Sequence, residues 1–241
     1  MPLPKKDFGA VKHKPKGIIY GAPGVGKSTF AANIPGHYII DCNDGLRALA
    51  VNHNINASDY QTTWRGVYDI LRTLATEDLP EIQAVVIDTL DDLIRLIIQD
   101  VAGTDITATL NKAHGGYGNG KQVLSNHINN VLKPILNKIN DKGRAVILLG
   151  HASRTDITDE EGITVEKTVA NLPKDFLNDL VGWADFVNLA YKDDSGARIL
   201  ITEDTRFCMA KNRYGFPPEI SFNWENFVMH FSAHCAKGGV K

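Results

Sequence analysis

Nine residues constrain this chain more than any others: Gly21-Ala22-Pro23-Gly24-Val25-Gly26-Lys27-Ser28-Thr29. They follow the apolar run Gly17-Ile18-Ile19-Tyr20 and precede a helix-like segment, 28–34, that Pro35-Gly36 stops. The apolar run suits a buried parallel strand, so the nine residues sit at a strand-to-helix turn. Glycines at these positions let backbone N–H groups turn inward as an anion nest, and the helix N-terminus adds its dipole. The pattern G-x-x-x-x-G-K-[ST] in this setting points to a phosphate cradle that includes Thr29. In it Lys27 reaches the β- and γ-phosphates and the Ser28 hydroxyl ligates the metal. ATP and Mg²⁺ are the expected cofactors.

The same alternation continues. His37–Asp41 and Ala84–Asp88 read as further strands, with helices from about Leu46 and over 64–77. Leu90, Leu93, Ile94, Ile97, Ile98 and Val101 recur at helical spacing, as expected for a helix packed on a sheet. Residues 102–121 lose all periodicity around Gly115-Gly116-Tyr117-Gly118-Asn119-Gly120 and read as a loop. A long helix follows, which Pro134 kinks or divides, and then a fourth strand at Ala145–Leu149. After residue 152 the pieces shorten and look antiparallel: Ile163–Val165, Phe186–Ala190, Ala197–Ile201 and Phe207–Ala210. The expected fold is α/β, a mainly parallel central sheet extended by antiparallel strands with helices on both faces. No linker or internal repeat divides the chain, so one core is expected over 17–241 after a basic arm, 1–16. That arm holds five lysines against one acid, with three prolines.

Composition narrows the class. With 43% hydrophobic and 22% charged residues, the 241-residue chain can bury a sizeable core. A net charge of −2 excludes a uniformly basic nucleic-acid binder, so any such contact must come from local patches. Cys42, Cys208 and Cys235 are widely spaced and propose neither a disulfide framework nor a zinc site. No apolar run approaches a membrane span and no signal-peptide core is visible, so a cytoplasmic protein with no membrane contact is expected.

Several residues beyond the glycine turn carry candidate chemistry. Asp88 ends an apolar strand, where an aspartate completes a Mg²⁺ shell; the alternative is a strand-end acid that caps the helix that follows. The next residue is Thr89, not a glutamate, so a water-activating base must come from another strand. Asp41-Cys42-Asn43-Asp44-Gly45 offers acids at the carboxyl edge of the sheet, where ligands of open α/β folds bind. Either Asp41 or Asp44 could orient water or simply form a turn. His151 ends the fourth strand and could read the γ-phosphate or be satisfied locally. Late in the chain, Met209-Ala210-Lys211-Asn212-Arg213-Tyr214-Gly215-Phe216-Pro217 places two cations one residue apart, with no carboxylate near them in sequence.

This ordering resembles the RecA-like ATPases, and in particular the phage RecA-like single-strand annealing proteins. The resemblance covers roughly 16–231 and rests on GAPGVGKST, YIIDCNDG, AVVIDTLDDL, LLGHASR and MAKNRYGFP. It implies a RecA-like core that hydrolyses ATP and assembles head-to-tail into homo-oligomeric rings or filaments. In such proteins a catalytic glutamate follows the second strand in a D-x-E pattern. Here that position is Asn43, so either Asp44 substitutes or hydrolysis is slow. The family's sensor residue corresponds to His151. Its paired cations, which reach the neighbouring subunit's γ-phosphate, correspond to Lys211 and Arg213.

The resemblance also implies single-stranded DNA as a partner, together with a single-strand-binding protein. One DNA loop would hold Lys112, His114, Tyr117 and Lys121, groups suited to phosphate neutralisation and base stacking. A second, over 152–175, holds Arg154 but also an acidic run; both could be plain surface loops. The expected function is ATP-dependent strand annealing or pairing in recombination. An alternative is a helicase-like or loader accessory of phage replication. A nucleotide kinase would need an arginine-rich lid, and no such cluster is present.

Overall fold

Strands sandwiched between two layers of helices must be apolar on both faces, and those at the centre of this molecule are. The structure, a computed structural model, describes residues 14–103, 119–158 and 162–238. In chain order these form β1 (Lys16–Gly21), α1 (Lys27–Ala32), β2 (His37–Asp41), α2 (Arg47–Ala50), α3 (Trp64–Thr76), β3 (Ala84–Asp88) and α4 (Leu90–Ala102). There follow α5 (Asn119–His127), one π-helical turn (Ile128–Leu132), α6 (Lys133–Asp141), β4 (Ala145–Thr158), β5 (Thr164–Ala170) and α7 (Lys174–Trp183). The chain continues through β6 (Phe186–Lys192), β7 (Arg198–Ile201), β8 (Lys211–Asn212), β9 (Glu219–Ser221) and α8 (Trp224–Gly238).

Among the described residues the strands join in one sheet of order β2-β3-β4-β1-β6-β7-β9, with β5 on β4 and β8 on β6. The β2-β3-β4-β1-β6 core is parallel, and β7, β8 and β9 extend it antiparallel. Alternate residues feed opposite layers. Ile18, Val85, Ile87, Val146 and Leu148 face the cluster formed with α3 through α7. Ile19, Val86, Ile147 and Leu149 face α1 and α8, where Phe30, Phe227 and Phe231 pack. The helical spacing read from Leu90 to Val101 lies on the first layer; Leu93 and Ile97 are each 0% exposed. Truncating either to alanine costs about 2–5 kcal/mol.

The mainly parallel sheet, its antiparallel extension and helices on both faces match the expected fold. Several local expectations change. Pro134 does open a second helical segment, α6, but a π-helical turn precedes it. Residues 152–158 are not a loop: they continue β4 and pair with β5 as a two-stranded ribbon, and α7 follows. Alternating exposed Arg154, Asp156 and Thr158 with half-buried Thr155 and Ile157 is the pattern of a half-solvated strand. Phe207–Ala210 is not a strand. Thr205 Oγ1 accepts the N–H groups of Phe207 and Cys208, and Asp204 Oδ1 accepts that of Ala210. These side chains take donors that a ladder would use. At the other end, Lys16 opens β1 and Pro15 O accepts the Val146 N–H at 2.9 Å. The last residues of the expected arm are therefore bonded to the sheet. No helix among the described residues is long and apolar enough to cross a membrane.

Candidate active site

The carboxyl ends of β2, β3, β4 and β1 meet along one edge. Asp41 is in register with Asp88, Asp88 with Leu149, and Gly21 with His151. Because β4 lies between β1 and β3, His151 stands between the glycine loop and the strand of Asp88.

The loop from Gly21 to Lys27 turns sharply into α1. Gly24 (φ 74°) and Gly26 (φ 107°) adopt left-handed backbone that side chains disfavour. Ala22, Pro23 and Gly24 are exposed, Val25 packs into the core, and Ser28 and Thr29 are half-buried in the first turn of α1. Lys27 is buried, and its Nζ donates to Gly21 O at 2.9 Å and Ala22 O at 3.1 Å. Burial pushes its ammonium below the usual lysine range, against the upward pull of Asp88 and Asp91.

Ser28 Oγ donates to Asp88 Oδ2 at 2.5 Å. Asp88 is 1% exposed, and burial pushes its carboxyl above the usual range; the Ser28 hydrogen bond and Lys27 oppose that rise. A nearly sequestered carboxylate and a hydroxyl are both hard oxygen donors and fit a Mg²⁺ ion, which they would hold together with ligands from outside the chain. Among the described residues no cluster of three or more His, Cys, Asp or Glu forms another metal site.

The two acids after β2 are used differently. Asp41 Oδ1 accepts the N–H groups of Asn43 (3.0 Å) and Asp44 (2.9 Å), closing a turn on its own backbone. That turn throws Asp44 outward at φ 57°, where it is exposed and pairs with Arg47 at 3.1 Å. No described contact brings Asp44 to Lys27, Ser28, Asp88 or His151. The acid that does join them is Asp91: its Oδ2 lies 2.7 Å from His151 Nδ1, and its Oδ1 accepts the His151 N–H at 3.1 Å.

A second unforeseen residue is Arg198. Its Nε lies 3.1 Å from where a Cβ on Gly26 would stand, so its guanidinium lies against the loop. Among the described residues no ion pair engages it or its strand partner Lys192. A cavity of about 550 Å³ borders the loop here, with Arg154, Tyr191 and Lys192 in its wall. Neither residue had a sequence signal: Asp91 reads as an acid at a helix start, and Arg198 as a turn-flanking cation.

Lys211 and Arg213 lie at the far edge of the sheet. Lys211 is in register with Val187, itself level with Ile18, and the Arg213 N–H bonds Asp185 O beside Lys16. From Lys16 to Gly21, β1 rises roughly 17 Å. The two cations have partners that the sequence did not reveal. Lys211 Nζ donates to Val181 O and Gly182 O near the end of α7, at 2.6 and 3.2 Å, and Arg213 Nη1 pairs with Asp185 Oδ1 at 2.9 Å.

Of the expected DNA-contacting residues, Lys112, His114 and Tyr117 lie outside the described residues. Lys121 is exposed in the first turn of α5. Arg154 is exposed on the ribbon and paired with Glu166 at 3.1 Å.

Compared with known proteins, residues 13–214 match the AAA domain family. No curated protein matches the chain. Among solved structures, the RadB recombinase is similar at 13% identity and a TM-score of 0.45, over 78% of this chain and 79% of that one.

Proposed function

The chain belongs to the AAA domain family, and we propose that it is an ATPase that assembles on single-stranded DNA and anneals or pairs strands in recombination. The ATPase reading is carried by the Ser28–Asp88 hydrogen bond beside the glycine loop and its buried lysine. Ser28 and Asp88 would hold Mg²⁺, which when bound neutralises charge on the β- and γ-phosphates. Lys27 would leave the loop carbonyls for the γ-phosphate. Arg198, already against Gly26, supplies a further cation from the same chain.

Where the other cations lie supports oligomer formation. Lys211 lies level with Ile18, three residues or roughly 10 Å along β1 from Gly21, and Arg213 lies beyond the start of that strand. Both are turned away from their own loop into other contacts, which supports a neighbouring copy's γ-phosphate as their target. Such a head-to-tail contact builds rings or filaments rather than closed dimers. The single core over 17–241, the arm before it and the DNA contacts of Lys112, His114, Tyr117, Lys121 and Arg154 belong to the same proposal.

One observation favours the second reading, an accessory that binds a replication protein. On the ribbon, Arg154 is tied to Glu166 and Lys167 to Asp204, at 3.1 and 2.7 Å. Both pairs would have to open before these cations met a phosphate backbone. ATP turnover of the wild type and Lys27→Ala, with and without a labelled single strand, separates the possibilities. ATP binding that survives Lys27→Ala overturns the phosphate site. Strand binding that weakens steeply with salt supports DNA as the partner; no strand binding with or without ATP favours the accessory.

A further inference from the structure

We propose that His151 takes the proton of the attacking water, with Asp91 as its positioning residue. The inference rests on the ATPase reading and supplies what that reading lacks. Asn43 cannot accept a proton, Asp41 closes a turn and Asp44 faces outward on Arg47.

α4 begins with two acids, and only one serves the helix. Asp92 accepts from Thr89 Oγ1 at 2.7 Å and pairs with Arg95 at 3.0 Å, as a capping residue does. Asp91 instead leaves its helix for β4 and holds one residue at two points. Oδ1 accepts the His151 backbone N–H at 3.1 Å, and Oδ2 meets the ring Nδ1 at 2.7 Å. A carboxylate only accepts hydrogen bonds, so this contact keeps the neutral ring's proton on Nδ1 and leaves the lone pair on Nε2. His151 stands level with Gly21, between the strands that carry the glycine loop and Asp88. Its side chain is 31% exposed, enough to meet water, whereas that of Asp91 is 18% exposed.

The step balances. As the water oxygen bonds to the γ-phosphorus, Nε2 takes a water proton. The bond from that phosphorus to the β,γ-bridging oxygen breaks, and its electron pair leaves with ADP. The imidazolium, held by Asp91, then gives its proton to solvent, so ATP and water yield ADP, phosphate and one proton.

The test uses the full chain, steady-state turnover and binding of a fluorescent ATP analogue. Asp91→Asn still accepts the His151 N–H, but its amide donates to Nδ1, moves the ring proton to Nε2 and removes the base. The expected result is a kcat lower by about 10²–10⁴-fold. KM and analogue affinity stay within about twofold of wild type, and the analogue still binds at one per chain, a stoichiometry that lost folding would lower. His151→Gln keeps an amide that can touch a phosphate oxygen but take no proton, and should show the same loss. It also decides the matter if Asp91→Asn fails to fold. Wild-type kcat in folded Asp91→Asn or in His151→Gln overturns the dyad. A wild-type chain that binds no analogue overturns the ATPase reading itself, and the dyad with it.

Discussion

Arg213 Nη1 lies 2.9 Å from Asp185 Oδ1, at the edge of the sheet opposite its own glycine loop. The arginine side chain is 55% exposed but that of Asp185 is 13% exposed, so water screens the pair from one side only, and removing the arginine leaves a nearly buried carboxylate short of a partner at a cost of about 1–3 kcal/mol. Arg213→Ala should therefore lower the melting temperature by roughly 2–10 °C, leaving the protein folded at assay temperature, while ATP turnover of the assembled protein collapses. Thermal denaturation and an ATPase assay on one preparation check both. Loss of fold together with activity would make the pair structural.

Asp88 couples stability to function. Its folded-state carboxyl is raised above the ordinary range, chiefly by burial. Between the unfolded and folded values the native state binds more protons, so stability falls as pH rises through that window and remains lower at neutral pH. Asp88→Asn removes the buried charge while retaining an acceptor for Ser28. The expected outcome is a higher melting temperature at pH 7 with no ATP turnover; a destabilised variant contradicts the burial argument.

His127 gives the opposite pH dependence. Burial pushes it below its ordinary value of 6.5, against an upward pull from Asp100; among the described residues Nε2 has no hydrogen-bond partner, and the ring meets Trp64 edge-on at 5.0 Å. Below pH 6.5 the unfolded chain binds this proton first, so stability is lost as pH falls from 6.5 toward the folded value. Urea midpoints measured across that range should decline in the wild type and decline less in His127→Phe. Parallel declines would mean other groups dominate.

Asn188 sits in β6 at 0% exposure, and among the described residues neither polar atom of its side chain has a hydrogen-bond partner. Valine is near in volume and prefers strands. Asn188→Val should stabilise the protein by about 1–3 kcal/mol, read from urea unfolding. Destabilisation would mean the amide has work that this geometry does not show.

The sequence carried most of the sheet because its buried strands are uninterrupted apolar runs, and Ala84–Val85–Val86–Ile87 fits little else. The glycine loop was legible for a related reason: Gly24 and Gly26 occupy backbone that disfavours other residues. The ribbon was missed because residues 152–158 are half-solvated and polar enough to read as loop. The pair Asp91–His151 and the placement of Arg198 depend on which strands become neighbours. Residues 91 and 151 meet because α4 packs beside β4, which local spacing does not encode. The partners of Lys211 and Arg213 were hidden likewise, since Val181, Gly182 and Asp185 are distant in sequence.

In the proposed assembly a second copy of the chain completes each ATP site. Subunits carrying Lys27→Ala keep the donor cations, and subunits carrying Lys211→Ala with Arg213→Ala keep the phosphate loop. Each alone should be inactive. Mixed in equal amounts, they should recover ATP turnover well above either alone, because intact loops then meet intact cations across subunit boundaries. A mixture no more active than its components, although the double variant still binds ATP and both assemble, would contradict the composite site.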